Sequence, residues 1–114
     1  MAIPVSLSKA YLVSPNTTTM DTLYTVTKAK KFRLKRLTID FPPTTANNLR
    51  VEFYRNEVKI LPTDLTSYYV GDNTKLVIET DVDLVSDESL RVRLINVSPT
   101  QANSCVIYLE GVEE

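Results

Sequence analysis

The chain has 114 residues, which is the size of a single domain, and its composition weighs against several function classes. It contains no His, the usual proton shuttle and a common metal ligand near neutral pH, so nucleophilic triads that need a histidine base are excluded. Its formal net charge of −1 provides no overall field that would attract nucleic acid or an anionic membrane. We therefore predict a protein that is not an enzyme and that has no cofactor and no metal site.

The first residues carry neither the basic region nor the apolar run of a signal peptide, and no segment approaches the ~20 apolar residues that cross a bilayer. No signal peptide and no membrane partner are expected. The single cysteine, Cys105, lies in an apolar run and has no second cysteine to pair with. We expect it to be a small buried side chain without a chemical role.

Short segments of alternating apolar and polar residues, separated by turn residues, fill the chain from end to end. They predict strands near residues 5–13, 22–27, 31–41, 49–55, 58–61, 68–70, 75–80, 89–97 and 104–112. No segment has helical periodicity, although residues 62–67 have the composition of one helical turn. Eight or nine short strands without helices predict one all-β domain over residues 1–114. We expect an antiparallel β-sandwich that is jelly-roll-like.

Two local irregularities are visible in this pattern. Phe32 and Leu34 share one face of the third segment, but Leu37 and Ile39 share the other, so one extra residue at Lys35-Arg36 would return all of them to the core. Such an insertion is a β-bulge.

Farther on, Asn56-Glu57 separates two strands and predicts a hairpin. Asn suits the first central position of a type I′ turn, but Glu suits the second position less well than Gly. A longer loop therefore stays an alternative.

A basic cluster precedes and occupies the third segment. Six basic residues fall within nine positions that contain no acid: Lys28, Lys30, Lys31, Arg33, Lys35 and Arg36. One interpretation is a patch for phosphate or for an acidic partner surface, and the other is a solvated strand face whose lysines guard an exposed edge. Nucleic acid is disfavoured as a partner because only Phe32 is available for stacking on bases.

An acidic cluster follows much later in the chain. Five acids fall within ten positions that contain no base: Glu79, Asp81, Asp83, Asp87 and Glu88. Asp81-Val82-Asp83 is similar to the start of a calcium loop, but the glycine and the final glutamate of that loop are missing, so we expect a solvated loop. Together with the basic cluster, the last four of these acids suggest an assembly surface on which copies pair head-to-tail.

Tyr68 and Tyr69 lie in a short segment between two turns. One interpretation is a ligand platform, with Asn47, Asn48 and Asn73 as further sugar-binding candidates. The other is a core-and-edge pair with one ring inside and one outside.

Two strings carry a family resemblance. Leu23-Tyr24-Thr25-Val26, a Lys-rich turn and the strand Phe32–Ile39 resemble small β-sandwich structural proteins of tailed-phage virions, the head decoration, head-fibre and minor tail subunits. Those chains often carry Pro-Ala-Gly-Lys where this one has Thr27-Lys28-Ala29-Lys30. The hairpin at 54–57, the turn at 71–73 and the closing residues 108–114 are also similar, so the resemblance covers about residues 22–114.

The resemblance implies no catalytic residues and a structural role. We therefore expect a subunit that self-associates or decorates a phage capsid or tail, with copies of itself or virion proteins as partners. Its localisation would be the virion, assembled in the host cytoplasm. A carbohydrate- or receptor-binding module is the alternative, in which a glycan would be the partner.

Overall fold

The structure is a computed structural model and describes residues 2–114. In this range the chain forms eight strands and no helix: β1 (Ile3–Val13), β2 (Thr17–Thr25), β3 (Phe32–Phe41), β4 (Leu49–Arg55), β5 (Val58–Leu61), β6 (Thr74–Leu84), β7 (Ser89–Asn96) and β8 (Asn103–Glu113). The predicted all-β fold is confirmed.

Each strand of the first half of the chain pairs antiparallel with one strand of the second half. β1 pairs with β8, β2 with β7, β3 with β6 and β4 with β5. The chain is thus one long antiparallel ribbon whose turn is the β4–β5 hairpin. The ribbon folds over so that β8 lies beside β3 and β7 beside β4. The result is sheet A, β1-β8-β3-β6, and sheet B, β2-β7-β4-β5, which is the predicted sandwich in a jelly-roll arrangement.

The inward faces of the two sheets form one apolar core. Its largest fully buried side chains are Phe32, Phe41, Phe53, Leu34, Leu37, Ile39, Leu49, Leu84, Leu90, Leu94, Ile107 and Leu109. Cys105 is buried as expected, and this burial raises the pKa of its thiol to about 12. Leu76 and Ile78, which the alternation places in the core, are only partly buried because β6 is an edge strand with one neighbour.

The predicted bulge is present in β3. Its pairing with both β6 and β8 shifts between Leu34 and Arg36, so Lys35 has no partner residue on either neighbouring strand. Leu34 and Leu37 are both fully buried as a result. One inserted residue therefore keeps the apolar side chains of a ten-residue strand in the core.

Some boundaries differ from the sequence prediction. β2 begins at Thr17, because a row of threonines extends the strand before its first apolar residue, and β6 continues to Leu84 through its acids. The expected strand at 68–70 is reduced to one bridge between Tyr69 and Val51. Residues 62–67 contain a single turn, closed by a hydrogen bond from the Ser67 N–H to the Asp64 carbonyl, and no helix. The hairpin loop is Asn56-Glu57, but only Asn56 has a positive φ, 51°, so the turn is not type I′.

Candidate functional site

The basic and acidic clusters meet on neighbouring strands of sheet A. Arg33 Nε lies 3.0 Å from Asp83 Oδ1, and Lys35 Nζ lies 3.2 Å from Asp81 Oδ1. The Asp83 carboxylate raises the pKa of the Arg33 guanidinium. Because β3 and β6 are antiparallel, charges about fifty positions apart in sequence become cross-strand pairs. Arg33, Lys35, Asp81 and Asp83 thus have partners within the chain, and head-to-tail pairing between copies would compete with contacts that already exist.

Arg36 completes this network on the other side of the bulge. Its Nε lies 2.8 Å from Glu79 Oε1, and its Nη1 lies 3.7 Å from Glu110 Oε2 on β8. The side chains of the network are 44–67% exposed, and such ion pairs contribute little to stability individually. The outer face of sheet A at β3 and β6 is therefore solvated, and its positive and negative side chains are paired. The same charges protect the β6 edge against pairing with other strands.

The remaining members of the two clusters lie on the turn between β2 and β3 and on the turn between β6 and β7. Within residues 2–114, no carboxylate oxygen comes within 4.0 Å of the ammonium groups of Lys28, Lys30 or Lys31. Asp87 and Glu88 shape the turn before β7, where Asp87 has a φ of 70° and the Glu88 carboxylate accepts a hydrogen bond from the Val85 N–H. The two turns contact each other, since the Ala29 N–H donates to Ser86 Oγ at 2.8 Å and the Asp87 N–H donates to the Val26 carbonyl at 3.1 Å. An assembly role for the ten candidate residues stays a prediction.

A shallow cavity of about 340 Å³ lies on this face beside three of the basic residues. Lys31, Arg33 and Lys35 line one part of it, and Val85 and Val112 line another. Asp83 and Glu114 also border it, so its charges are mixed. Nothing in this lining selects an anion over a cation.

The two tyrosines point in opposite directions. The Tyr69 ring packs near Phe53, with 6.2 Å between ring centroids, and its burial raises its pKa. The Tyr68 ring is 40% exposed and lies over the guanidinium of Arg50, whose Cζ is 4.4 Å from the ring centroid. Tyr69 is half-buried against the core and Tyr68 is exposed, so Tyr68 is the more available of the two to a ligand.

The outer face of sheet B contains a buried ion pair that the sequence analysis missed. Lys59 Nζ lies 2.8 Å from Glu52 Oε2, and the two side chains are only 7% and 10% exposed. The same ammonium group donates hydrogen bonds to the carbonyls of Leu65 (3.2 Å) and Ser67 (2.5 Å). Lys59 therefore fixes the loop of residues 62–70 across the sheet. The alternation of β4 places Glu52 on an outer face, but no sequence signal shows that a distant loop covers it.

One side of the sandwich is almost free of charge. Residues 1–27 contain two charged side chains, Lys9 and Asp21, although the whole chain has 13 basic and 14 acidic residues. These residues form β1 and β2, which are edge strands of the two sheets joined by a short loop. We call this surface the β1–β2 side. The low charge of the first quarter of the chain is visible in the sequence. It indicates a surface only because β1 and β2 are edge strands.

The two charges of the β1–β2 side neutralise each other. Lys9 Nζ lies 3.3 Å from Asp21 Oδ2 and donates a hydrogen bond to the carbonyl of Thr22. The Tyr11 hydroxyl donates to the same Asp21 oxygen at 2.6 Å, which lowers the pKa of the carboxyl, while burial raises the pKa of Tyr11. These contacts link the edge of sheet A to the edge of sheet B, so neither charge of this side lacks a partner.

The described residues, 2–114, contain no group of three or more His, Cys, Asp or Glu side chains that is arranged to hold a metal ion. They contain no helix that is long and apolar enough to cross a membrane. Comparisons of the chain with protein-family models and with curated proteins give no match.

Proposed function

We propose that this chain is a non-enzymatic structural subunit that associates with copies of itself or decorates a larger assembly, and that this assembly is a phage capsid or tail. The observation that carries the proposal is the β1–β2 side. Two adjacent edge strands, of 11 and 9 residues, present free backbone with a single ion pair between them. Soluble proteins usually protect such edges with charge, because a bare edge pairs with other chains.

The opposite edge of sheet A supports this interpretation by contrast. β6 has the same length as β1, and it carries four charged residues: Lys75, Glu79, Asp81 and Asp83. β1 carries only Lys9, which is neutralised by Asp21. The molecule thus has four charged residues on one edge of the sheet and a single, paired charge on the other, which favours an interface on the less charged edge.

The perturbed ionisable groups also favour a structural role. Tyr11 and Asp21 bind each other across the two sheets, Tyr24 donates a hydrogen bond to Glu113, and Cys105 lies in the core. Each of these groups is explained by a contact that holds the fold together. The resemblance to virion β-sandwich proteins points in the same direction.

The test is binding of the purified protein to tailed-phage particles that lack it, measured by co-sedimentation, together with sedimentation velocity of the protein alone. We expect a defined oligomer, saturable binding to particles, or both. A protein that stays monomeric at high concentration and does not bind capsids or tails would contradict the proposal. An enzymatic activity that survives purification to homogeneity would contradict it as well.

A carbohydrate- or receptor-binding module is a second candidate, and the exposed Tyr68 ring on Arg50 favours it. An aromatic ring beside hydrogen-bonding groups is suited to a sugar face. A glycan array tests it, with Tyr68→Ala expected to abolish any binding. Tyr108→Ala is the matched control, since Tyr108 is 37% exposed on sheet A.

A further inference from the structure

We propose that the partner at the β1–β2 side is a second copy of this chain. In this dimer, which rests on the structural role proposed above, two β1 strands pair antiparallel about Ser8. The two copies of sheet A then form one continuous eight-stranded sheet across a twofold axis. The inference depends on three observations: the residues of β1, the pairing of β1 with β8, and the single ion pair of this side.

The backbone groups available for this pairing follow from the ladder inside the subunit. Lys31 and Glu114 exchange two backbone hydrogen bonds, so Glu114 turns its N–H and C=O toward the β3 side and Glu113 turns them toward β1. Because directions alternate along a strand, the odd-numbered residues of β1, beginning with Ile3 opposite Glu113, bond to β8. The even-numbered residues turn their backbone groups outward: Pro4, Ser6, Ser8, Ala10 and Leu12.

This outward row is suited to strand addition. Pro4 lacks an N–H, and its nitrogen faces the free edge, where proline is tolerated. The side chains of Ser6, Ser8 and Ala10 are small and exposed on the outer face of sheet A. They would let a second strand approach without a steric or a charge penalty. Leu12, 76% exposed, is a large apolar side chain at the end of the row that has little cover within the subunit.

The charge pattern of β1 selects the register. Pairing about Ser8 places Lys9 opposite Leu7 of the second copy, whereas pairing about Lys9 would bring two lysines together, which is destabilising. The Ser8 register also places Leu12 beside Pro4 of the second copy and uses the strand from Pro4 to Leu12. It therefore gives the longest overlap that avoids like charges.

The proposed pairing uses the full length of β1. Eleven residues at ~3.3 Å each give a length of roughly 36 Å. In the Ser8 register all eleven residues of β1, from Ile3 to Val13, lie opposite a residue of the second copy. The charges that become covered are already paired with each other, so burial leaves no isolated ion.

The first experiment compares two lysine substitutions by sedimentation velocity. Ser8 and Val77 lie at opposite ends of one cross-strand row of sheet A, which runs Val77, Thr38, Tyr108, Ser8. We expect the unmodified protein and Val77→Lys to sediment as dimers and Ser8→Lys to sediment as a monomer. Circular dichroism should show that both variants are folded. A monomeric unmodified protein, or a dimer that persists in Ser8→Lys, would overturn the proposal.

The second experiment tests the twofold pairing directly. Residues that exchange two backbone hydrogen bonds have Cα atoms ~5.5 Å apart, which is within the range of a disulfide. Ser8→Cys should therefore form a covalent dimer under mild oxidation, and Val77→Cys should not, while the native Cys105 stays buried. Failure of Ser8→Cys to cross-link in a dimeric sample would show that the copies meet elsewhere and would overturn the register.

These outcomes are distinguishable from failure of the structural role itself. A monomer that binds phage particles would overturn the dimer and leave the proposed function intact. A cross-linked dimer that binds no particle would confirm the dimer and count against a role in the virion.

Discussion

Asn96 is a buried polar side chain on which the loops at one end of the sandwich depend. Its Nδ2 donates to the carbonyls of Val13 (3.0 Å) and Gln101 (2.9 Å). Its Oδ1 accepts from the Ser98 N–H at 3.1 Å and from Asn103 Nδ2 at 2.9 Å. One amide thus binds backbone groups from two separate parts of the chain, the end of β1 and the loop between β7 and β8, and buried polar groups of this kind need such partners.

Replacing this amide should therefore be costly. We expect Asn96→Ala to lower the free energy of unfolding by about 3 kcal/mol or more, because each buried group left unpaired costs roughly 1–3 kcal/mol. Urea denaturation measures the effect. Asn48→Ala is the matched control: the Asn48 side chain makes no hydrogen bond within residues 2–114 and should change stability by less than about 0.5 kcal/mol. Equal losses in both variants would refute the role of Asn96.

Asp21 makes the free energy of unfolding depend on pH under acidic conditions. The Tyr11 hydroxyl holds the pKa of its carboxyl below the usual value of 3.8, so between that lowered pKa and 3.8 the unfolded chain binds more protons than the folded one. The contribution of Asp21 is complete above 3.8 and is lost as the pH falls through the folded-state pKa. Asp21→Asn should flatten the acid limb of the stability curve, measured by urea denaturation at each pH. Tyr11→Phe should flatten it in part, and an acid limb unchanged in both variants would contradict the coupling.

At the scale of elements, the loop of residues 62–70 is held by one side chain from a neighbouring strand. The ammonium group of Lys59 pairs with the Glu52 carboxylate and donates hydrogen bonds to two carbonyls of the loop, those of Leu65 and Ser67. The loop carries Tyr68 near its end and pairs with β4 at Tyr69. The position of the exposed Tyr68 ring therefore depends on a salt bridge beneath it.

Two variants separate the salt bridge from the anchoring of the loop. Lys59→Met leaves the Glu52 carboxylate buried without its nearest cation, and we expect a loss of about 3–5 kcal/mol. Adding Glu52→Leu should recover most of this stability, because an apolar pair of similar size can replace a buried ion pair. The double variant should still show faster hydrogen exchange in residues 62–70, since the loop carbonyls lose their donor. Full protection of the loop in the double variant would show that Lys59 does not hold it.

Sequence patterns predict an element well where the inward side chains are apolar. β4 and β5 have the expected bounds, and the bulge at Lys35 follows from the change of parity between Leu34 and Leu37. The start of β2 and the end of β6 were missed because threonines and acids occupy those positions. Their strand conformation comes from pairing with β7 and β3, and a single strand's own sequence does not contain that information.

At the scale of the whole molecule, the β3–β6 charges act within the chain. Reversing Arg33 and Lys35 to Glu places them against Asp83 and Asp81, and like charges on adjacent strands are destabilising. We expect a lower melting temperature at low salt, with the deficit shrinking as salt is added. Lys28→Glu with Lys30→Glu is the control, and it should have a smaller effect. A double reversal that leaves the melting temperature unchanged would show that these pairs contribute nothing.

The candidate surfaces were harder to predict than the fold because they depend on which strands become neighbours. The basic and acidic clusters are visible in the sequence, but their mutual neutralisation appears only once β3 and β6 are paired. The low charge of the first 27 residues is equally visible in the sequence. It becomes a surface only because β1 and β2 lie at the edges of two stacked sheets.

The ribbon topology also sets an order for folding. The β4–β5 hairpin needs a loop of only two residues, whereas the β1–β8 ladder joins Ile3 to Glu113 and closes the longest loop in the fold. Loop closure must be completed before non-local contacts compensate its entropy, so folding should proceed from the hairpin outward and be slow. β1 is then the last strand to be fixed. Only a chain that has finished folding presents this edge in strand form, so incomplete subunits would be kept out of the assembly.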